Sequence, residues 1–278
     1  MDATKKQSTE LKKTELEILI AFIDACKELN LKYYVVGGTL IGTIRHKGFI
    51  PWDDDIDVAM PREDYEVFMK NAQSVLPEHL FVQNIYTDKE YLTFFAKIRN
   101  SNTTFLESSN SHLHINHGVY IDIFPLDYFP ENKWEQRKVL LKNKLYARRI
   151  CSCFNIQAKK TLRFRLISFL MKIVYPSVRA VIEKRDEMAK AVPKSTMFAS
   201  YGGAWGYKEV APIEWFGDGK VDSFEGIEVV VPAGYHKWMT QIYGDYMQLP
   251  PEEKRVAHHY ADVIDLERSY KYYMENRP

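Results

Sequence analysis

Four aspartates fall within five positions, Asp53, Asp54, Asp55 and Asp57, and apolar residues follow them. The apolar run through Met60 predicts a buried strand. Because alternate side chains of a strand share a face, we expect Asp55 and Asp57 to point the same way, with Asp53 joining them if the strand starts early. Two like charges in a partly buried strand repel, and a divalent cation with oxygen ligands relieves this repulsion. The pattern predicts a Mg²⁺ or Mn²⁺ site, with a solvent-facing acidic turn as the alternative for Asp53 and Asp54.

A further carboxylate, Asp122, interrupts the apolar run 119–124, which also has the composition of a strand. A carboxylate buried in such a strand needs a charge partner or a metal. Beside Asp55 and Asp57 it would complete a two-metal site. The competing interpretation is a structural salt bridge to an arginine. Asp127, which follows soon after, is expected to organise the next turn.

A glycine pair lies upstream of the acidic strand. The run 33–36 predicts a strand that ends at Gly37 and Gly38, and residues 39–46 predict a short helix. Glycines at such a junction let the backbone approach a ligand, and the helix end offers free N–H groups to an anion. We therefore expect a phosphate cradle opposite the acidic residues.

These motifs resemble the signature of the LicD family of phosphocholine transferases, which belongs to the nucleotidyltransferase-fold superfamily and includes the fukutin-related proteins. The resemblance covers roughly residues 14 to 260. The motifs that carry it are Gly37-Gly38-Thr39-Leu40, Arg45, the run from Ile50 to Asp57, the run from Gly118 to Asp127 and the run from Tyr243 to Pro251.

The resemblance implies an α+β fold, with a nucleotidyltransferase-like core built on a short mixed β-sheet flanked by helices. A helical insert and a C-terminal mixed segment are expected to follow this core. The corresponding boundaries place the catalytic core at 1–130, a basic helical insert at 131–200 and a segment closing the cleft at 201–278.

The implied activity is the metal-dependent transfer of a phospho-alcohol, most typically phosphocholine, from a CDP-activated donor such as CDP-choline. The acceptor would be a sugar hydroxyl of a cell-surface glycan or of its lipid-linked precursor, and CMP would be released. Three alternatives stay open: transfer of ribitol or glycerol phosphate, transfer of a nucleotidyl group, and a catalytically silent nucleotide-binding scaffold.

The resemblance also implies roles for individual residues. Two Mg²⁺ or Mn²⁺ ions and the catalytic step are assigned to Asp55, Asp57 and Asp122. The donor phosphates are assigned to Gly37, Gly38, Thr39, Arg45, Lys97 and Arg99, although strand-borne cations such as the last two are more often solvent-facing. Accessory positions are Asp53, Trp52, Tyr201, Trp205, Arg255 and His258.

The composition indicates an intracellular enzyme. The 38 basic and 37 acidic residues nearly cancel, so net charge does not indicate a nucleic-acid partner. Three cysteines, an odd number, suggest a reducing compartment. The N-terminus leads into a charged helix, and no stretch has the length and apolarity of a membrane span. We expect a cytoplasmic location, at the inner face of a membrane where the acceptor requires it.

One segment departs from the balanced charge of the whole chain. Between Gln136 and Ile182 there are twelve basic residues and no acidic residue, with aromatic and aliphatic residues between them. This composition is typical of an interfacial amphipathic element, and it predicts peripheral contact with an anionic membrane. The alternative is a solvated helical subdomain that packs on the core.

Overall fold

The computed structural model describes residues 3–154, 162–256 and 260–275. The fold is α+β, with a curled mixed sheet flanked by helices. The strands are β1 (Tyr34–Val35), β2 (Asp57–Pro61), β3 (Leu80–Gln83), β4 (Ala96–Asn100), β5 (Thr104–Glu107), β6 (Val119–Tyr128), β7 (Met197–Ala199), β8 (Ala211–Pro212), β9 (Lys220–Phe224), β10 (Ile227–Val231) and β11 (Ala261–Asp265). The helices are α1 (Ala3–Glu28), α2 (Gly37–Arg45), α3 (Arg62–Val75), α4 (Lys133–Cys151), α5 (Leu162–Val174), α6 (Val178–Lys190), α7 (Tyr235–Tyr243) and α8 (Tyr270–Glu275).

The central sheet has the strand order β1-β2-β6-β4-β3. Strands β2 and β6 run parallel, whereas β1–β2, β6–β4 and β4–β3 are antiparallel pairs. The far end of β6 pairs with β7 in antiparallel register, and β7 pairs in turn with β8. Strands β9 and β10 form a hairpin, and β11 pairs with β5. The long strand β6 is therefore the element that joins the parallel and the antiparallel parts of the sheet.

One face of the sheet is covered by α1 and α3. The apolar residues of α1 recur at helical spacing, so a single stripe, which includes Ile18 and Phe22, is buried. The Phe22 ring lies 5.2 Å from that of Phe68 on α3. The sheet contributes the alternate side chains Val58 and Ile123, both fully buried. Because strand side chains alternate, the residues next to these two must emerge on the opposite face.

Helices α4, α5 and α6 follow β6 and form an arm. The arm has its own apolar cluster, in which Ile150 and Val181 pack with Phe129. Asn132 caps α4 by accepting hydrogen bonds from the N–H groups of Trp134 and Glu135. Among the helices that the structure describes, none combines the length and the apolarity that crossing a membrane requires.

The element boundaries depart from the sequence analysis at two places: β6 continues through Tyr128, past the turn expected at Asp127, and the acidic strand begins later than expected. Strand β2 begins at Asp57, so Asp55 lies in the preceding loop and does not share a strand with it. The preceding segment turns instead, with the Asp53 N–H donating to the Ile50 carbonyl at 2.9 Å. Three adjacent carboxylates repel one another, and water hydrates each of them strongly. Both effects oppose placing them in an extended buried strand. The segment boundaries at 130 and 200 stay predictions.

Candidate active site

Three charged side chains lie in one row across three neighbouring strands. Asp57 on β2 is in register with Asp122 on β6, and Asp122 is in register with Lys97 on β4. The Lys97 Nζ atom lies 2.6 Å from Asp122 Oδ1, and both side chains are buried. The row, which we call the charged row, thus contains two carboxylates and a lysine paired with the second of them.

A cavity of about 280 Å³ opens over the charged row. Side chains of β2 and β6 form the floor of the cavity. Because strand side chains alternate, the residues two and four positions after each aspartate lie on the same face of the sheet as the aspartate. Aromatic residues and a loop, Ser200 to Trp205, supply much of the wall. The acidic and aromatic residues that line the cavity are Asp55, Asp57, Asp122, Phe95, Phe124, Trp205, Glu209, Trp238 and Tyr243.

The glycine pair lies directly against the carboxylates. Gly37 has a φ of 58°, a left-handed conformation that favours glycine. A Cβ atom at Gly37 would collide with Asp57 Oδ2, and one at Gly38 would collide with Asp53 Oδ2. The Thr39 hydroxyl accepts a hydrogen bond of 2.8 Å from the Asp57 N–H. The predicted cradle residues thus fix the first turn of α2 beside the start of β2.

A second acidic group lies just before β2. Asp53, Asp54 and Asp55 are half-buried, and their carboxylate oxygens come within 4.8 Å of one another, close enough to share a metal ion. Glu15 on α1 is buried near them, and its pKa is raised by burial and by the charges of Asp55 and Asp54. The sequence analysis did not identify Glu15. Negative charge therefore dominates this edge of the cavity.

The same repulsion acts on Asp57. Its pKa is raised well above the ordinary value by burial and by the charges of Asp55, Asp122 and Asp53, and Lys97 offsets only part of this. Ligand oxygens without nitrogen or sulfur, and an excess of negative charge, are the features that Mg²⁺ and Mn²⁺ prefer. The residues present therefore fit the divalent cation that the sequence analysis expects.

Several predicted site residues lie beside the cavity rather than in its lining. Arg45 donates to the Tyr246 carbonyl at 2.6 Å, and Arg255 lies over the Trp52 ring at 5.4 Å. Arg255 also donates to the Pro250 carbonyl at 2.9 Å. These contacts tie the C-terminal segment to α2 and to the acidic loop. His258 lies outside the described residues.

Arg99 is enclosed by protein groups. Its guanidinium is fully buried, donates to Gln83 Oε1 at 2.6 Å and to the Gly118 carbonyl at 2.7 Å, and lies 4.6 Å from the Tyr120 ring. Although Lys97 and Arg99 share a strand face, the structure brings only Lys97 next to a cavity carboxylate.

The predicted aromatic loop contributes through Trp205. The Trp205 ring packs edge-on against that of Tyr243, with centroids 5.3 Å apart, and both line the cavity. Tyr201 points away from this wall, and its carbonyl accepts hydrogen bonds from Asn143 on α4 and Arg185 on α6. Two helices of the arm thus hold the loop that lines the cavity.

The loop closes around a residue that the sequence analysis missed, Glu209. Its carboxylate accepts a hydrogen bond of 2.6 Å from the Trp205 N–H, and a Cβ atom at Gly203 would collide with it. Burial raises the pKa of Glu209 from 4.5 to about 7. Glu209 therefore changes charge near neutral pH while it holds the cavity wall.

We expect Glu209→Gln to stabilise the protein above pH 7. A carboxyl group whose folded pKa exceeds its unfolded pKa favours the folded state at low pH, and this contribution is lost as pH rises from about 4.5 through 7. The loss is at most about 3 kcal/mol, because one pKa unit corresponds to about 1.4 kcal/mol. Glutamine keeps the acceptor oxygen and cannot ionise. Thermal melts between pH 5 and pH 8.5 will test this, and parallel stability profiles for both proteins would contradict it.

An acidic cavity on the face of a mixed sheet, with a glycine turn against its carboxylates, is typical of enzymes that handle phosphorylated substrates. Comparisons with known proteins agree. Residues 30–157 match the family described as LicD/FKTN/FKRP, nucleotidyltransferase domain. The chain is 33% identical over 261 residues to the lipopolysaccharide cholinephosphotransferase LicD of Haemophilus influenzae, covering 90% of this chain and 95% of that protein.

A shorter similarity links the chain to a mammalian protein. The chain is 29% identical over 107 residues to the mouse ribitol 5-phosphate transferase FKRP, covering 37% of this chain and 18% of that protein. The chain therefore belongs to the LicD family, and it is an enzyme of the transferase class. The resemblance noted in the sequence is confirmed.

Proposed function

We propose that this enzyme transfers phosphocholine from CDP-choline to a sugar hydroxyl and releases CMP. The proposed acceptor is a cell-surface glycan or its lipid-linked precursor. The observation that carries the proposal is the charged row of Asp57, Asp122 and Lys97 beneath an aromatic cavity. The name of the Haemophilus relative supports the choice of phosphocholine. The proposal includes a nucleotidyltransferase-like fold for the sheet and its helices, in agreement with the matching domain description.

We assign the metal to the cavity carboxylates. Asp55, Asp57 and Asp122 would hold Mg²⁺ or Mn²⁺, two ions in the complete site, and Asp53 and Asp54 add oxygens beside Asp55. A divalent cation in this position neutralises the negative charge of the donor diphosphate. The repulsion that raises the pKa of Asp57 is the physical reason for placing the cation here.

The protein groups position the two reactants. We assign the donor phosphates to the N-terminus of α2, which begins at Gly37 and whose first N–H groups lack partners within the helix. Lys97 engages Oδ1 of Asp122 and so holds that carboxylate in place. We assign the other oxygen of Asp122 to the acceptor side of the metal site, where it would help to activate the acceptor hydroxyl. The rate enhancement then comes mainly from positioning and charge neutralisation.

The cavity wall favours choline over a polyol. Phe95, Phe124, Trp205 and Tyr243 present aromatic surfaces, and the Glu209 carboxyl lies among them. Aromatic faces together with negative charge bind a quaternary ammonium well, whereas ribitol or glycerol needs hydrogen-bond partners along its hydroxyl groups. Ribitol phosphate stays the second candidate because the mouse relative is named for it.

Measurement of CMP release tests the proposal. The protein would be given Mg²⁺, a glycolipid acceptor and, in separate reactions, CDP-choline, CDP-ribitol, CDP-glycerol or a UDP-sugar. We expect CDP-choline to give the fastest release and the UDP-sugar to give none. Comparable turnover with the UDP-sugar would overturn the donor class, and faster turnover with CDP-ribitol would overturn phosphocholine. Metal-dependent binding of CDP-choline without any CMP release would indicate the non-catalytic scaffold.

A further inference from the structure

Helix α5 presents an apolar surface to solvent, away from the residues that line the cavity. Six large apolar side chains of this helix are between 51% and 81% exposed: Leu162, Leu166, Phe169, Leu170, Ile173 and Val174. Single exposed apolar residues are ordinary on protein surfaces, but a contiguous patch marks an interaction site. Such a concentration on one helix of 13 residues requires an explanation.

The exposed side chains form one contiguous arc. At about 100° per residue, they span an arc of about 140° on the helix circumference, which we call the outer arc. Ser168 and Met171 are buried and lie on the opposite side of the helix, and α5 packs against α4. Helix α5 thus has more apolar surface than it buries, because the outer arc is exposed in addition to the buried side.

Positive charge borders the outer arc. Arg165 and Lys172 are exposed and lie close together on the helix circumference, beside one edge of the arc. Helix α5 has no acidic residue, and the sequence has none anywhere between Gln136 and Ile182. An apolar face flanked by cations is complementary to the headgroup region of an anionic bilayer.

We propose that the outer arc of α5 inserts into an anionic membrane leaflet, with Arg165 and Lys172 at the level of the lipid phosphates. A second copy of the chain is a poorer occupant, because pairing two outer arcs would bring together two helices that carry Arg165 and Lys172 and no acidic residue. The inference concerns a surface outside the cavity and holds whichever headgroup the enzyme transfers. On this proposal the membrane contact has two parts. Salt screens the electrostatic part and does not screen the apolar part.

Flotation with liposomes tests the proposal on the full chain. We expect strong capture at low salt by vesicles of phosphatidylcholine with phosphatidylglycerol, and weaker but measurable capture by the same vesicles at high salt. Vesicles of phosphatidylcholine alone should show this weaker capture at either salt concentration. The Phe169→Ser/Ile173→Ser variant should reduce capture about 100-fold at either salt concentration. The Arg165→Gln/Lys172→Gln variant should reduce it about tenfold at low salt and hardly at all at high salt.

A matched control removes exposed apolar residues elsewhere. Val67 on α3 and Val221 on β9 are also exposed, and Val67→Ser/Val221→Ser should leave capture unchanged. All these side chains are at the surface, so each variant should melt close to the parent protein. Insertion is measured directly with tryptophan: Ile173→Trp should be quenched by brominated lipids, and Val221→Trp should not.

The proposal is overturned if the parent protein is not captured by anionic vesicles at low salt. It is equally overturned if Phe169→Ser/Ile173→Ser floats as well as the parent protein. If the parent protein is a dimer that vesicles do not capture, and Phe169→Ser/Ile173→Ser is a monomer, then a second copy covers the outer arc instead.

Discussion

Asp57→Asn will reduce transfer by about 10³-fold or more without lowering the stability of the metal-free protein. Asp57 lies in the charged row beside Asp122, and its carboxylate lies against the first turn of α2. Asparagine has nearly the same shape, so the packing survives, but the site loses the charge that would hold a cation. CMP release at saturating Mg²⁺ measures the first effect, and a thermal melt in chelator measures the second. Asp55→Asn should show the same loss of transfer.

The stability part follows from the raised pKa of Asp57. The folded state binds this proton more tightly than the unfolded state, so stability is lost as pH rises from about 4 through the folded pKa. Asp57→Asn removes that loss and should melt no lower than the parent protein at neutral pH. Asp24→Asn on the exposed side of α1 makes the same chemical change and should leave transfer unaltered. Near-normal turnover of Asp57→Asn would show that the metal assignment is wrong.

Arg62→Met will lower the free energy of unfolding by about 3–5 kcal/mol, the usual result of breaking a buried ion pair. Arg62, at the start of α3, makes two hydrogen bonds to Asp127, of 2.6 Å and 2.9 Å, and Asp127 is buried. Arg62 also bonds Asp186 on α6 at 3.0 Å, so it joins α3, β6 and the arm. The substitution leaves the Asp127 charge buried without this partner. Urea unfolding measures the loss.

A second substitution separates the lost charge partner from lost packing. In Arg62→Met/Asp127→Leu no unpaired carboxylate remains at position 127, and most of the lost stability should return. Asp186 and Glu66 retain Lys190 as their partner in both variants. If the double variant is less stable than Arg62→Met, the pair contributes net stability through its hydrogen bonds and the buried-charge explanation is wrong.

The sequence predicts the strands of the active site because their pattern is local. Alternation shows that Asp57 and Asp122 each share a face with particular neighbours, and the structure brings both under one cavity. Which strands lie side by side depends on pairing between distant segments, so the register of Lys97 with Asp122 could not be derived. For the same reason, the sequence could not show that Arg99, two residues after Lys97 on β4, is enclosed by protein groups.

The residues that the sequence analysis missed fall into two kinds. Glu15 lies on the buried stripe of α1, with Leu11 and Ile18 before and after it at helical spacing. A charged residue on such a stripe is a signal that was available from the sequence. Glu209 carried no such signal, because it lies in a short 3₁₀ turn that packs against α7, a helix further along the chain.

The expectation for Asp127 failed for a related reason. The residue was expected to organise a turn after Pro125, but β6 continues through Tyr128 and Asp127 faces Arg62 instead. A proline usually ends a strand in a sheet interior, because it cannot donate to the ladder. Here Pro125 pairs in the parallel register with Met60, and the strand continues beyond it.

The parallel pairing of β2 with β6 also bears on how the chain folds. The two strands are separated by α3 and by β3, β4 and β5, so their contacts close a long loop and form only after its entropy has been overcome. Closing the loop brings like charges on Asp57 and Asp122 together, which opposes this step further. We therefore expect the charged row to assemble late, after β4 has paired with β6 and placed Lys97 beside one of its carboxylates. A cation held there would then stabilise the native state more than the folding transition state, and so act mainly on the rate of unfolding.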